Sequence, residues 1–274
     1  MKKIKISVVT SSRADFGIFS NLIKLIQADN RFDLKILVTG SHLSKKYGLN
    51  INEIKDHNIK VAKKIKILTN TDSKLGIIKS SSQAIIKIGK ALMQLKPDLV
   101  LVLGDRYEIL SAAQAAVILQ IPIAHFHGGE LTLNSYDNYF RHAISKLSNI
   151  HFVSTGVYKK RLIKMGENPK NVFNVGSINL EKIKDIKLYT KSEIEKKLKI
   201  KFLKKIVLFT LHPETLNLKE INNQIKISVN SLNYLKDTTV IMTLPNHDVG
   251  SGKIISKLKK ICRKKKNYHF FHSL

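Results

Sequence analysis

The chain has 274 residues, of which 43% are hydrophobic, and it carries a formal net charge of +28 at pH 7. Because a single domain usually has about 100 to 200 residues, this length predicts two domains with buried cores. The longest apolar segment, residues 109–123, is interrupted by Gln114 and Gln120. It is shorter than the roughly 18 apolar residues of a membrane span, so no membrane association is expected.

The positive charge makes nucleic acid the first alternative ligand to weigh. Six of the 48 basic residues are arginines, the aromatic content is 7%, and the one dense basic run is residues 257–266. A basic stripe interleaved with stacking aromatics is not indicated, so no nucleic-acid partner is predicted. The single cysteine, Cys262, cannot form an internal disulfide, and the N-terminus lacks the apolar core of a secretory signal. We therefore expect a cytoplasmic protein that begins near Met1.

Strand-like and helix-like segments alternate along the first 178 residues. Short apolar runs predict strands at 5–10, 34–40, 61–68, 98–104, 121–125, 150–154 and 172–175. Amphipathic segments predict helices at 18–28, 49–56, 75–95 and 106–119. Strands separated by helices of this length predict right-handed crossovers and a doubly wound parallel sheet, which places the fold in the α/β class.

The pattern changes near residue 180. Residues 179–189 are highly charged and show little strand pattern, which is typical of a linker. Beyond them, predicted helices at 191–198, 218–235 and 251–265 alternate with predicted strands at 206–211, 239–244 and 268–271. We therefore predict one domain at residues 1–178 and a second at residues 190–274.

The loop after the first strand is a candidate anion site, because ligands of parallel α/β sheets bind at the carboxyl ends of strands. Residues 11–17 read SSRADFG and lead into a helix. Free N–H groups at the helix N-terminus and the guanidinium of Arg13 are suited to bind phosphate. An ordinary capped turn is the alternative. The glycine spacing of a dinucleotide fingerprint is missing from this loop.

Asp105 and Arg106 follow the fourth strand, in the segment GDRYE. An acid beside a fixed cation is suited to proton chemistry, and Arg106 opens the next helix at a ligand-facing end. The alternative is that Asp105 only caps this helix. Arginine in a lysine-rich chain is explained by bidentate recognition of an anion, which lysine cannot provide.

The densest polar segment is residues 125–142, HFHGGELTLNSYDNYFRH. Its two adjacent glycines permit close backbone approach to a ligand. Glu130 and Asp137 bring two carboxylates to the end of a strand, although capping of the helix after Asn138 would also explain them. His125 and His127 alternate across the strand end and point to opposite faces, so no shared metal is expected.

In the second half, His212 follows the strand predicted at 206–211 and faces the same kind of ligand site. A histidine there can donate to a diphosphate, with a charge that responds to the bound anion. A solvent-exposed loop histidine is the alternative.

Together these segments resemble the hydrolysing UDP-N-acetylglucosamine 2-epimerases, especially the bacterial branch that supplies sialic acid synthesis. The resemblance rests on ordered motifs, which are SSRADFG, HLSKKYG, VLGDRYE, HFHGGELTLNSYDNYFRHAISKLS, VFNVGS, LHPETLN and DVGSGKII. It implies two Rossmann-like domains of the GT-B type, the second incomplete here because the family continues for about 100 residues more, the size of a completed second domain.

The resemblance also implies the chemistry. UDP is eliminated from UDP-N-acetylglucosamine to give a 2-acetamidoglucal, and water then adds to give N-acetylmannosamine, with no cofactor. By motif, Asp105, Glu130 and Asp137 become acid/base candidates, with their individual roles open, and Arg13, Arg106 and His212 become contacts to the UDP moiety. The family further implies a homodimer.

Three alternatives stay open. A 2-epimerase acting on a UDP-2,4-diacetamido-trideoxyhexose differs only in the sugar substituents that it contacts. A GT-B glycosyltransferase would transfer the sugar to an acceptor, although carboxylate-rich strand ends favour proton abstraction. A nucleotide-sugar binder without turnover is the third.

Overall fold

The computed structural model describes residues 2–45, 51, 54, 58–69, 71–180 and 187–271. The chain divides into two units, which we call unit 1 (Met1–Lys184) and unit 2 (Asp185–Leu274). Part of the predicted helix at 49–56 and part of the predicted linker at 179–189 lie outside the described residues. No helix among the described residues is long and apolar enough to span a bilayer.

A parallel sheet with the strand order β3-β2-β1-β4-β5-β6-β7 forms the centre of unit 1. Its strands are β1 (Ile4–Thr10), β2 (Phe32–Val38), β3 (Val61–Lys64), β4 (Leu99–Leu103), β5 (Ile123–Phe126), β6 (Ile150–Val153) and β7 (Val172–Asn174). Strand order reverses direction beside β1, as in doubly wound folds. The predicted α/β class with a parallel sheet is confirmed.

Neighbouring residues of a strand point to opposite faces of the sheet, so apolar side chains project from both faces. Helices cover both faces. They are α1 (Arg13–Ala28), α2 (Lys74–Leu95), α3 (Tyr107–Ile118), α4 (Asp137–Lys146) and α5 (Gly156–Lys164). Val100 and Val102 of β4 enter one core, and Leu101 and Leu103 enter the core on the other face. An all-apolar strand is therefore required at this position.

Unit 2 is a smaller α/β unit built around a parallel sheet of order β10-β9-β8. Its elements are α6 (Lys191–Leu198), β8 (Lys205–Thr210), α7 (Ile221–Leu232), β9 (Thr238–Thr243), α8 (Ser251–Lys264) and β10 (Tyr268–Phe271). The predicted helix at 218–235 begins as a short 3-10 turn, Leu218–Glu220, before α7.

Candidate active site

The candidate residues of unit 1 follow three neighbouring strands of the sheet. β1, β4 and β5 lie side by side and run parallel, so their carboxyl ends meet at one edge of the sheet. The segments after these strands hold the predicted residues, which are Arg13 after β1, Asp105 and Arg106 after β4, and Glu130 and Asp137 after β5.

The guanidinium of Arg141 joins two of the predicted carboxylates. Arg141 lies in α4 and is 6% exposed. Its Nη2 donates to Asp105, and its Nη1 donates to Glu130 Oε2 at 3.3 Å. The same side chain donates to the His127 carbonyl at 3.0 Å and to the Thr132 hydroxyl at 3.1 Å. One buried cation therefore fixes carboxylates from two different strand-end loops.

Both carboxylate oxygens of Glu130 have hydrogen-bond partners. Its Oε1 accepts from the Ser154 hydroxyl at 2.9 Å and lies 2.8 Å from His127 Nδ1, while Oε2 faces Arg141. Burial raises the pKa of this carboxyl, but the hydrogen bonds from His127 and Ser154 and the nearby positive charges outweigh burial and hold the pKa below its ordinary value. Glu130 is therefore ionised at neutral pH, the form in which a carboxylate accepts a proton.

The two histidines of the HFHGGE segment have different surroundings. His125 is fully buried, with Nδ1 3.1 Å from Ser145 Oγ and Nε2 2.8 Å from the Gly104 carbonyl oxygen. Burial lowers its pKa to about 3, so the ring stays neutral and structural. His127 has a left-handed backbone with φ 63°, which costs a non-glycine residue about 1 kcal/mol or more and is concentrated at functional sites. Among the described residues, no group of three or more His, Cys, Asp or Glu side chains is placed to hold a metal.

Asp137 is the first residue of α4, one helical turn before Arg141. Its carboxylate accepts from the Ser135 hydroxyl at 2.6 Å, and its own N–H donates to Ser135 Oγ at 3.1 Å. Residues four apart lie on the same helix face, so Asp137 is on the side of α4 that carries Arg141. The signal for Arg141 in the sequence is an arginine within the polar segment 125–142 of a lysine-rich chain.

The adjacent glycines have a packing role within the protein. A Cβ on Gly128 would lie 2.8 Å from Ser145 Oγ, and one on Gly129 would lie 2.8 Å from the Tyr158 carbonyl oxygen. Gly129 also has φ 77°, a conformation that favours glycine. The sequence interpretation, close approach to a ligand, is therefore not needed to explain them, because α4 and α5 already occupy that space.

A buried cluster holds the turn between β1 and α1. Asp15 accepts from the Ser11 N–H at 2.9 Å, from the Ser11 hydroxyl at 2.8 Å and from Thr10 Oγ1, and forms a capping box with Ser12. Burial raises the pKa of Asp15, but contacts with His42 and these hydrogen bonds lower it below its ordinary value. The capped turn and the anion-site interpretation are compatible, because capping fixes the loop that presents the exposed Arg13 at the first position of α1.

Arg106 is 9% exposed and faces a carboxylate inside the protein. Its Nε donates to Glu108 Oε2 at 3.2 Å and its Nη2 donates to Oε1 at 3.4 Å. The structure places Arg106 at the N-cap of α3, one position before the helix that the sequence predicted it to open. Asp105 therefore lies one position before the N-cap, and the Arg106 guanidinium is paired with the buried Glu108.

The histidine predicted in unit 2 lies beyond β8. His212 is exposed, and its Nδ1 accepts from the Asn246 N–H at 3.5 Å. Nearby in the loop after β9, His247 and Asp248 are buried, and the Asp248 N–H donates to Ser251 Oγ at 3.1 Å. The ends of β8 and β9 in unit 2 therefore form a second polar cluster, of which His212 is the exposed member.

Comparison with known proteins agrees with this architecture. Residues 24–274 match the family model described as UDP-N-acetylglucosamine 2-epimerase. The chain is 42% identical over 264 residues to a GDP/UDP-N,N'-diacetylbacillosamine 2-epimerase (hydrolyzing) of Campylobacter jejuni, a match that covers 96% of this chain and 68% of that protein. It is 39% identical to the polysialic acid biosynthesis protein P7 of Escherichia coli, over 96% of this chain and 67% of that protein.

A solved structure shares the fold. The crystal structure of the UDP-GlcNAc 2-epimerase of Neisseria meningitidis bound to UDP-GlcNAc aligns with 99% of this chain and 73% of its own, with a TM-score of 0.76 and 21% identity. The predicted GT-B-like fold is thereby confirmed. The chain spans about two thirds of the length of the curated relatives that it matches. This chain belongs to the UDP-N-acetylglucosamine 2-epimerase family.

Proposed function

We propose that this protein is a hydrolysing 2-epimerase of a UDP-2-acetamido sugar. The observation that carries the proposal is the pair of carboxylates, Asp105 and Glu130, that Arg141 holds at the carboxyl ends of β4 and β5. Carboxylates fixed against one cation are suited to proton transfer, and family membership supports a UDP-sugar as the class of substrate.

The reaction has two steps. A base removes the proton from C2 while the bond between C1 and the UDP oxygen breaks, which leaves a 2-acetamidoglucal and UDP. Water then adds its oxygen to C1, and a proton is delivered to the opposite face of C2. Glu130 is our candidate for the base because its carboxylate is fixed in direction by His127, Ser154 and Arg141. Asp105 and Asp137 are our candidates for the second transfer.

The departing diphosphate needs positive charge. We assign this role to Arg13 at the N-terminus of α1. We propose His212 in unit 2 as a neutral hydrogen-bond donor to the diphosphate, since its Nδ1 accepts from the Asn246 N–H and its Nε2 then carries the proton. Arg106 is proposed as a third contact, and its pairing with Glu108 fixes the direction of its guanidinium.

Two sugar substrates have support from the relatives. The 42% identical relative is named a GDP/UDP-N,N'-diacetylbacillosamine 2-epimerase, which favours UDP-N,N'-diacetylbacillosamine among UDP-sugars. The 39% identical relative is named for polysialic acid biosynthesis, which agrees with the UDP-N-acetylglucosamine that the family resemblance implies. We place UDP-N,N'-diacetylbacillosamine first because its relative is named for this reaction, whereas the other is named only for its pathway. A homodimer is also proposed from the family resemblance, and a cytoplasmic location from the single cysteine of the chain.

The test is incubation with each UDP-sugar in deuterium oxide. We expect free UDP and a free 2-epimeric sugar that carries deuterium at C2. Changing Asp105, Glu130 or Asp137 to its amide should lower turnover by about 10² or more while UDP affinity stays intact. Asp33→Asn, in a partly exposed pair with Lys35 of β2, is the matched control and should keep full turnover.

Other outcomes would identify other functions. Retention of the original hydrogen at C2 would rule out proton abstraction. Release of UDP only when an acceptor sugar is added would indicate a glycosyltransferase. Binding of UDP without turnover of either sugar would indicate a nucleotide-sugar binder.

A further inference from the structure

We propose that His127 is a positioning residue, whose Nδ1–H fixes the carboxylate of Glu130 for proton transfer. The inference rests on the proposed function, because it takes Glu130 as a proton-transferring group. It assigns a role to a histidine that the acid/base and diphosphate assignments leave unused.

The first observation is geometric. His127 follows β5 directly, and its backbone is held at both ends. Its N–H donates to the Phe152 carbonyl at 2.9 Å, and its own carbonyl accepts from Arg141 at 3.0 Å. The imidazole Nδ1 lies 2.8 Å from Glu130 Oε1, and the side chain is 13% exposed. The ring that meets Glu130 is therefore anchored through the backbone that carries it.

The second observation concerns which ring nitrogen carries the proton. An ionised carboxylate can only accept hydrogen bonds, so Nδ1 must be the donor toward Glu130. In the neutral ring, Nε2 is then an acceptor. Within the described part of the chain, Nε2 is buried and has no hydrogen-bond partner. The contact with Glu130 is therefore the polar contact that holds this ring.

His125 provides an internal comparison. Both of its ring nitrogens have protein partners, Ser145 and the Gly104 carbonyl, which is how a structural histidine is satisfied. In His127, by contrast, the one paired nitrogen is Nδ1. Its partner is the Glu130 carboxylate, which also contacts Arg141 and Ser154. The positive φ of His127 points the same way, because such backbone conformations cluster at functional sites.

The test is a double-mutant cycle on turnover of the UDP-sugar. His127→Ala removes the donor, whereas His127→Asn supplies a side-chain N–H near the position of Nδ1 and tolerates the left-handed backbone. We expect His127→Ala to lower kcat by about 10 to 100-fold with KM nearly unchanged, and His127→Asn to recover most of the loss. In a Glu130→Gln background, His127→Ala should lower kcat by less than about threefold further.

The outcomes separate the two proposals. If Glu130→Gln keeps full turnover, the proposed function of Glu130 fails. If Glu130→Gln is impaired and the loss from His127→Ala is as large in that background as in the unchanged protein, His127 does not act through Glu130 and our inference fails. Equal losses for the Asn and Ala variants would overturn it as well.

A second measurement does not depend on turnover. Long-range proton–nitrogen NMR spectra of the ¹⁵N-labelled protein report which ring nitrogen of His127 is protonated. We expect a protonated Nδ1, whose resonance shifts in Glu130→Gln but stays in place in the control Asp33→Asn. A ring protonated only at Nε2 would refute the inference.

Discussion

Replacing Arg141 by methionine tests the central contact of the candidate site. Methionine keeps an unbranched apolar stem but removes the guanidinium that Asp105 and Glu130 share. The side chain of Arg141 is 8% exposed, and those of Asp105 and Glu130 are 21% and 24% exposed. The substitution therefore leaves two carboxylates together in a mostly buried place without their cation.

The expected loss of stability follows from that burial. Breaking a buried ion pair costs about 3 to 5 kcal/mol, whereas an exposed pair contributes about 0 to 1 kcal/mol. Because the two carboxylates keep some contact with water, we expect the free energy of unfolding to fall by about 2 to 4 kcal/mol. This is a large part of the roughly 5 to 15 kcal/mol that stabilises a typical domain.

The measurement is urea unfolding at pH 7, followed by near-ultraviolet circular dichroism of the tyrosines, since the chain has no tryptophan. Hydrogen exchange should place the weakened amides in α4 and in the loops after β4 and β5. Arg141→Lys keeps the charge but not the planar fork. Its free energy of unfolding should therefore lie between that of Arg141→Met and that of the unchanged protein.

Arg31→Met is the matched control. Arg31 also forms a charged pair, with Asp29 at 2.6 Å, but its side chain is 79% exposed. Its removal should leave the urea midpoint unchanged. If Arg141→Met were as stable as this control, the Arg141 contacts would contribute nothing to the fold, and our account of the site as a preformed network would be wrong.

Three further predictions concern other parts of the chain. Since the pKa of His125 is about 3 in the folded state and about 6.5 in unfolded chains, stability should fall as the pH drops below 6.5, by about 2 to 3 kcal/mol at pH 4.5. Urea unfolding of His125→Asn should show a flatter pH dependence. Arg106→Lys should weaken UDP binding in calorimetry, because lysine loses the fork that Glu108 orients. Amide hydrogens of β8 should exchange faster than those of β9.

The sheet of unit 1 was predictable because its signal is local. A strand buried on both faces must be apolar throughout, and the run LVLVL of β4 meets that requirement within five residues. Helix α5 was missed because its own local signal is weak. Its sequence, GVYKKRLIK, buries one residue, Leu162, so it carries almost no apolar periodicity.

The partners of the site residues were not predictable from local spacing. Arg141 and Asp105 are 36 residues apart, and Glu130 and Ser154 are 24 apart, so their contacts depend on which strands lie side by side. The sequence did favour bidentate anion recognition by Arg106, and the structure pairs its fork with a carboxylate of the protein. A pattern of residue types indicates that an arginine binds an anion, but it does not say which one.

The prediction for β8 follows from its place at the edge of the sheet of unit 2. Within the described residues, β9 is paired on both sides and β8 on one. In a parallel sheet an edge strand leaves alternate N–H groups without a partner strand, so these amides meet water. The side chains of β8 show in addition that one face of this strand is covered and the other exposed, since Val207 and Phe209 pack on the core while Leu208 is 63% exposed. Leu208→Lys should therefore leave unfolding of unit 2 unchanged, whereas Phe209→Ala should cost about 2 kcal/mol, less than for a fully buried phenylalanine. Exchange as slow in β8 as in β9 would show that another segment or another chain covers this edge, and a destabilised Leu208→Lys would show the same for the face that carries Leu208.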